Sequence, residues 1–223
     1  AKSWPPAHEP VPHYLHSGGR ANSRMGDGTL DARPPDAEPR DSFVYDPLDP
    51  VPTCGGRSMV GVPTGVEDQA QVEMRQDVLI YTTARLAGPL AIAGPVTLTL
   101  YASSSAVDTD FTAKLVDVEP SGYCANIAEG IVRARYRNSR EHAEFLEPGR
   151  VTEFTIDLWD VAHTFKADHC VRLEISSSNF PRFDRNLNSK VTPALGSATD
   201  AQKAVQQIFH DQRHPSCLTL PVV

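Results

Sequence analysis

Six stretches of the sequence alternate apolar and polar residues with a period of two. Val96, Leu98 and Leu100 alternate with Thr97, Thr99 and Tyr101, and Phe111, Ala113 and Leu115 with Thr112 and Lys114. Val132, Ala134 and Tyr136 alternate with Arg133, Arg135 and Arg137. Thr152, Phe154, Ile156 and Leu158 alternate with Glu153, Thr155 and Asp157, and Val171, Leu173 and Ile175 with Arg172 and Glu174. Leu218, Leu220 and Val222 close the chain in the same way. Successive side chains of a strand point to opposite faces, so each stretch predicts a strand with one face buried and the other wet. Many short strands separated by turn residues imply a sandwich or barrel. Asp77–Thr83 (DVLIYTT) is more continuously apolar and predicts a central strand. Helix is scarce. Thr199–His210 could form one, capped by Thr199 or Asp200. The preferred reading is a strand that pairs with Cys217–Val223 as a hairpin across Asp211–Ser216.

The region from Pro5 to Pro52 is rich in Pro, Gly, Asp and Arg, a composition that lays chain over a surface as loops and short strands. Residues 1–42 are expected to form an extended arm packed on a domain made of residues 43–223. His13–Gly19 predicts a short strand within that arm. Gly26 and Gly28 predict a tight turn at positive φ. Ala1 is not a methionine, and the Pro-rich opening reads as a linker, so further chain is expected before it. A length of 223 residues buries a sufficient core without staples. The net charge of −7, with both signs interspersed, makes nucleic acid and anionic membrane poor partners. No apolar run is long enough to span a membrane.

The search for chemistry returns little. No serine sits in a G-x-S-x-G strand-to-helix turn: Ser58, Ser121 and Ser197 lack the flanking small residues, and Ser103–Ser105 follow an antiparallel-type strand. The eight histidines scatter among loops, so no complete triad is expected within the chain. Asp108 and Asp110 lack the dense acidic spacing of a calcium loop, and His8, His13 and His16 lie in a prolyl linker, a weak ligand set. Neither a metal nor a cofactor is expected. The four cysteines follow no zinc or disulfide spacing and read as free, mostly buried thiols. Arg133, Arg135 and Arg137 predict a wet strand face pairing with acids on neighbouring strands. Asp108 and Asp110 predict caps for the turn into the strand that starts at Phe111. Glu174–Ser189 is the densest polar–aromatic loop. Its Asn179, Arg182, Asp184, Arg185 and Asn186 can satisfy one another and the local backbone, with Phe180 and Phe183 as anchors. It reads both as a structural loop and as a docking surface.

Several segments, in this order, resemble one family: WPP, YLHSGGRAN, GDGTL, DSFVYDPLDPVPTCGG, DVLIYTT, SSSAVDTDFTAKLVDV, GIVRARYR, SSSNFPRFDRNLNS and HPSCLTLPVV. Together, from Trp4 to Val223, they are similar to the C-terminal domain of the cocaine esterase/NonD hydrolase family, which includes X-Pro dipeptidyl-peptidases and α-amino acid ester hydrolases. The resemblance implies an all-β, jelly-roll β-sandwich of the galactose-binding-like type. It implies a parent serine hydrolase whose nucleophile, acid and base lie in a preceding α/β-hydrolase domain with a helical cap. No position here matches them, so no catalytic residue carries over. The expected partners are that catalytic domain and cap, with a homo-oligomer as a further expectation. Met59 and Val60, after CGG, align with a loop expected to wall the substrate cleft. Asn179, Phe180, Arg182, Phe183, Asp184 and Arg185 are the candidate docking loop. A free-standing carbohydrate-binding module, presenting Trp4 or Trp159, and an assembly module are the alternatives. The compartment stays open, with the cytoplasm favoured.

Overall fold

The structure is a computed structural model that describes residues 3–57, 61 and 63–223. Among these, twelve strands run as β1 (Glu9–His16), β2 (Thr29–Asp31), β3 (Asp41–Tyr45), β4 (Leu79–Thr82), β5 (Leu90–Ser104) and β6 (Asp110–Val118), followed by β7 (Cys124–Arg133), β8 (Thr152–Phe165), β9 (Cys170–Ser176), β10 (Ala204–Asp211), β11 (His214–Pro215) and β12 (Cys217–Val222). The helical turns among the described residues are short 3-10 segments, the longest being Gln69–Met74. The all-β expectation therefore holds.

The strands share one hydrogen-bonded path, β11-β10-β5-β12-β1-β2-β4-β9-β6-β7, with β3 added on β10 and β8 on β5. The pairings are antiparallel except the single contact of β2 with β4. The sheet folds back on itself, because strands far apart on the path share one core. Phe111 of β6 meets Phe154 of β8 with ring centroids 5.0 Å apart. Leu98, Leu100, Ile156, Leu173, Ile175, Leu218 and Leu220 are all buried in the same cluster. Burying each such side chain contributes roughly 1.5–3 kcal/mol, so this shared layer dominates stability. Gly130 of β7 lies against the β8 backbone, where a Cβ would collide with the Asp157 carbonyl and with Ile156. This close approach explains a glycine in mid-strand.

The structure corrects several expectations. β4 is central, between β2 and β9, as predicted. β10 is a strand, but it pairs with β3 and with Tyr101–Ser104 of β5 and not with β12, which occupies the next stretch of the same β5 edge. The alternation of the arginine segment is not strand throughout: β7 ends at Arg133, and Ala134–Tyr136 form a 3-10 turn. Neither Gly26 nor Gly28 has positive φ; Ser23 takes that conformation instead, at 60°. Gly28 serves close packing, since a Cβ there would strike the Ile80 carbonyl. The cysteines are free as expected, but only Cys124 is buried.

The polar faces of β6 and β9 are not wet. Lys114, Arg172 and Glu174 are buried beneath a covering segment whose own small core is Val51, Val72 and Val78 against Ile80. Lys114 Nζ donates to Gln69 Oε1 at 2.9 Å, and Arg172 pairs with Glu73.

Candidate docking surface

The predicted loop Asn179–Arg185 is stitched to the strand ends around it and does not satisfy itself alone. Phe180 exchanges backbone hydrogen bonds with the stretch of residues 51–53: its N–H donates to the Val51 carbonyl at 2.9 Å, and Thr53 N–H donates to the Phe180 carbonyl at 2.7 Å. Arg182 N–H donates to Thr53 Oγ1 at 3.0 Å. Asn179 is buried, and its Nδ2 donates to Glu129 Oε2 at 2.8 Å. Arg182 Nε reaches the other oxygen of Glu129 at 3.4 Å. Arg182 also stacks over Phe183, and Arg185 over the exposed Phe180. Asp184 stays exposed, 3.9 Å from Arg133.

Glu129, on β7, is thus the hub that sequence reasoning missed. Gly56 packs on its carboxylate so closely that a Cβ would come within 2.8 Å of Oε1. No sequence signal marks Glu129: the mid-strand Gly130 reports the close approach of β8 on the opposite face, since successive residues of a strand point to opposite sides. Beside Glu129 opens a cavity of about 240 Å³ lined by Gly56, Arg57, Asn126, Glu129, Asp160 and Val161, among others. Trp159 stands at its rim. It lies within β8 at φ 71° and is 53 % exposed, with the Arg57 guanidinium 4.3 Å over its ring. The exposed Trp4 donates from Nε1 to Asp160 Oδ2 at 3.2 Å. Met59 and Val60 lie outside the described residues, just beyond Arg57.

Beneath the loop lies a buried ionic layer in place of a wet arginine face. Arg135 is 4 % exposed. Its Nε donates to Asp108 Oδ2 at 2.8 Å and its Nη2 to the carbonyls of Ser189 and Val191. Asp108 also accepts the Arg135 backbone N–H, so Asp108 and Asp110 bond to residues distant in sequence and not to the backbone of the turn before Phe111 as predicted. Arg133 grips Asp110 through two bonds of 3.0 Å, and Asn186 Nδ2 bridges Asp108 and Asp110 at 2.7 and 2.8 Å. Burial pushes the Asp110 carboxyl up, against the pull of Arg133 and Asn186. Removing these charges from water is costly, and the bidentate and carbonyl bonds offset that cost. The result is a rigid bed under Asn179–Arg185.

The structure does gather a serine, an imidazole and carboxylates elsewhere, around His210. Ser17 Oγ lies 3.2 Å from His210 Nε2, and Asp41 Oδ2 is 2.9 Å from the same nitrogen. Glu38 Oε2 lies 3.2 Å from His210 Nδ1. This is not the arrangement of a nucleophile and its base. Both ring nitrogens face carboxylates. Although burial lowers the pKa of His210, the hydrogen bond to Asp41 and the charges of Asp41 and Glu38 raise it above the ordinary value. An imidazolium has no lone pair to accept a proton. The Ser17 hydroxyl donates to Asp41 at 2.7 Å and accepts from Gly19 N–H, so its oxygen is engaged on both sides. The cluster is structural.

Comparison with known proteins gives a consistent picture. Residues 1–219 match the X-Pro dipeptidyl-peptidase C-terminal non-catalytic domain. The cocaine esterase of Rhodococcus sp. (strain MB1 Bresler) is 40 % identical over 222 residues, covering 99 % of this chain and 39 % of the esterase. An aminopeptidase from the marine sediment archaeon Thaumarchaeota archaeon superposes with a TM-score of 0.87 at 29 % identity, over 99 % of this chain and 38 % of its own. An α-amino acid ester hydrolase superposes with a TM-score of 0.84 at 32 % identity, over 96 % of this chain and 36 % of its own. The chain therefore spans about two fifths of the length of the relatives it matches.

Proposed function

The chain belongs to the X-Pro dipeptidyl-peptidase C-terminal non-catalytic domain family and is the C-terminal part of a CocE/NonD-type hydrolase, and we propose that it docks on the catalytic domain through the surface around Glu129 and helps wall the substrate cleft. The parent on this reading is a serine hydrolase of esters or amides, with nucleophile, acid and base in the preceding α/β-hydrolase domain. The two-layer jelly-roll reading of the sheet belongs to the same proposal and is supported by the core shared between β6 and β8.

The observation that carries this reading is the continuity of one surface. Trp4, Trp159 and Phe180 are exposed aromatics, and Arg57, Arg182 and Arg185 lie over aromatic rings. Arg57 lines the cavity and covers Trp159, Trp4 bonds the lining residue Asp160, and Arg182 reaches the lining residue Glu129. Exposed aromatics and arginines on a rigid support are what interfaces use as anchors. Met59 and Val60 follow Arg57 closely in sequence, and their place at the cleft wall is part of the same proposal.

Trp159→Glu in the full-length hydrolase tests the reading. It should weaken substrate handling, with KM raised several-fold, and lower the temperature of inactivation. Leu195→Glu, at an exposed residue of a different loop, should do neither. Unchanged kinetics and unchanged thermal inactivation in Trp159→Glu would reject the docking surface.

A further inference from the structure

The cluster around His210 has a geometry that the docking role does not use. Carboxylates and imidazoles alternate along one line. Asp31 lies 3.3 Å from His16 Nε2, His16 Nδ1 is 2.6 Å from Glu38 Oε1, Glu38 Oε2 is 3.2 Å from His210 Nδ1, and His210 Nε2 is 2.9 Å from Asp41. Tyr81 donates to Asp41 at 2.7 Å and sets its ring edge-on to His210. The groups that face His210 are thus Ser17, the neighbouring Glu38 and Asp41, and Tyr81, from three segments of chain. The His210 side chain is fully buried, whereas Glu38 is 21 % exposed.

Glu38 belongs to residues 32–40, the connection between β2 and β3. Among these residues only Pro35 is buried. The connection is tied down by few bonds. The Glu38 carboxylate accepts from His16, from the Ser17 N–H at 3.1 Å and from His210. The Asp36 carbonyl accepts the Gln212 N–H at 2.9 Å, and the Arg33 carbonyl lies 3.1 Å from His16 Nε2. One carboxylate therefore carries most of the attachment, and two of its three partners are imidazoles.

We propose that residues 32–40 are a strap latched to the sheet by a proton on His210, with Glu38 as the latch and Asp41 as the fixed counter-charge. Losing the proton leaves a neutral ring that can donate from one nitrogen only, so either Glu38 or Asp41 loses its bond. Asp41 is fully buried and cannot turn to water, whereas the part-exposed Glu38 can, so the remaining ring proton stays on the Asp41 side and the loss falls on Glu38. The direction of the His210 shift agrees. A raised pKa means that the latch is fully made below the ordinary value of 6.5 and is lost as pH rises through the higher value of the folded state. Tyr81 is held well above its ordinary value by burial and by Asp41, so it stays neutral throughout.

Hydrogen exchange of the full-length protein between pH 6 and pH 9, corrected for intrinsic rates, tests the strap at the Ser17 and Gln212 amides that bond to it. Their protection should fall with pH, by about tenfold for each pH unit by which the imidazole of the strapped state titrates above its ordinary value. In Glu38→Gln, which keeps the shape at a part-exposed site, protection should be low already at pH 6 and should not change with pH. Protection that is flat with pH in the wild type, or a Glu38→Gln protein that keeps the wild-type pH dependence, overturns the proposal.

Discussion

The buried layer between β6 and β9 makes the chain's stability depend on pH through one carboxyl. Glu174 is 3 % exposed, and its Oε1 finds no hydrogen-bond partner among the described residues. Its other oxygen lies 3.7 Å from Lys114 Nζ. Burial pushes the carboxyl up from 4.5 to about 7, a rise that Glu73 reinforces and that Lys114 and Arg172 only partly oppose. The folded state therefore holds a proton that the unfolded chain releases near 4.5, so stability falls as pH rises and the loss is complete above about 7. At about 1.4 kcal/mol per pH unit, ionising the group within the fold costs roughly 3 kcal/mol.

Glu174→Gln isolates that cost, because His210 also loses stabilisation as pH rises and both proteins share this effect. At pH 5 the carboxyl is neutral in the fold, and the amide replaces it with little change in shape. At pH 8 the wild type carries the buried charge and the variant does not. Urea unfolding followed by far-ultraviolet circular dichroism should show the variant gaining roughly 3 kcal/mol on the wild type between pH 5 and pH 8. With a slope of about 2 kcal/mol/M, this is a relative midpoint shift of about 1.5 M. A stability difference that stays constant between the two pH values would refute the assignment of a neutral Glu174.

Two further outcomes follow from close packing and buried charge. Gly130→Ala places a methyl group against the Asp157 carbonyl, which is backbone and cannot swing away. The strain should lower stability by about 1–3 kcal/mol, seen as a lower melting temperature with the β-sheet signal retained. Arg135→Met leaves the buried Asp108 without its guanidinium and frees the carbonyls of Ser189 and Val191. An uncompensated buried charge costs about 3–5 kcal/mol, so thermal unfolding should show a larger loss than in Gly130→Ala, and proteolysis should first reach residues 186–191.

Period-two alternation was a reliable guide where one face of a strand meets the shared core. Val96, Leu98 and Leu100 are fully buried, and so are Phe111, Leu115, Leu173 and Leu218. It misled on the opposite faces, because alternation reports what a residue type prefers and not what covers it. Lys114, Arg172 and Glu174 read as wet, yet they are roofed by Val51, Val72 and their neighbours, a segment whose prolines and short runs read only as loop. The arginines pair with acids as expected, but in a dry layer, since Asp108 and Asp110 come from 25 or so residues upstream and meet them only through the β6–β7 pairing. Long-range meetings of this kind carry no local signature. The docking loop was legible as a knot of polar and aromatic residues, and its hub was not: Glu129 is an ordinary acid in an ordinary strand until Asn179, Arg182 and Gly56 converge on it. Trp159 shows the same limit from the other side. Alternation after Leu158 already puts its indole on the outer face, where Arg57 covers it; the extra residue at φ 71° that leaves Asp160 exposed as well and returns Val161 to the buried face has no sequence signal. A bulge at a sheet edge shifts the alternation by one residue, and here it leaves Trp159 and Asp160 exposed side by side, the indole under Arg57 and the carboxylate within reach of Trp4, which is the pairing on which the docking proposal most depends.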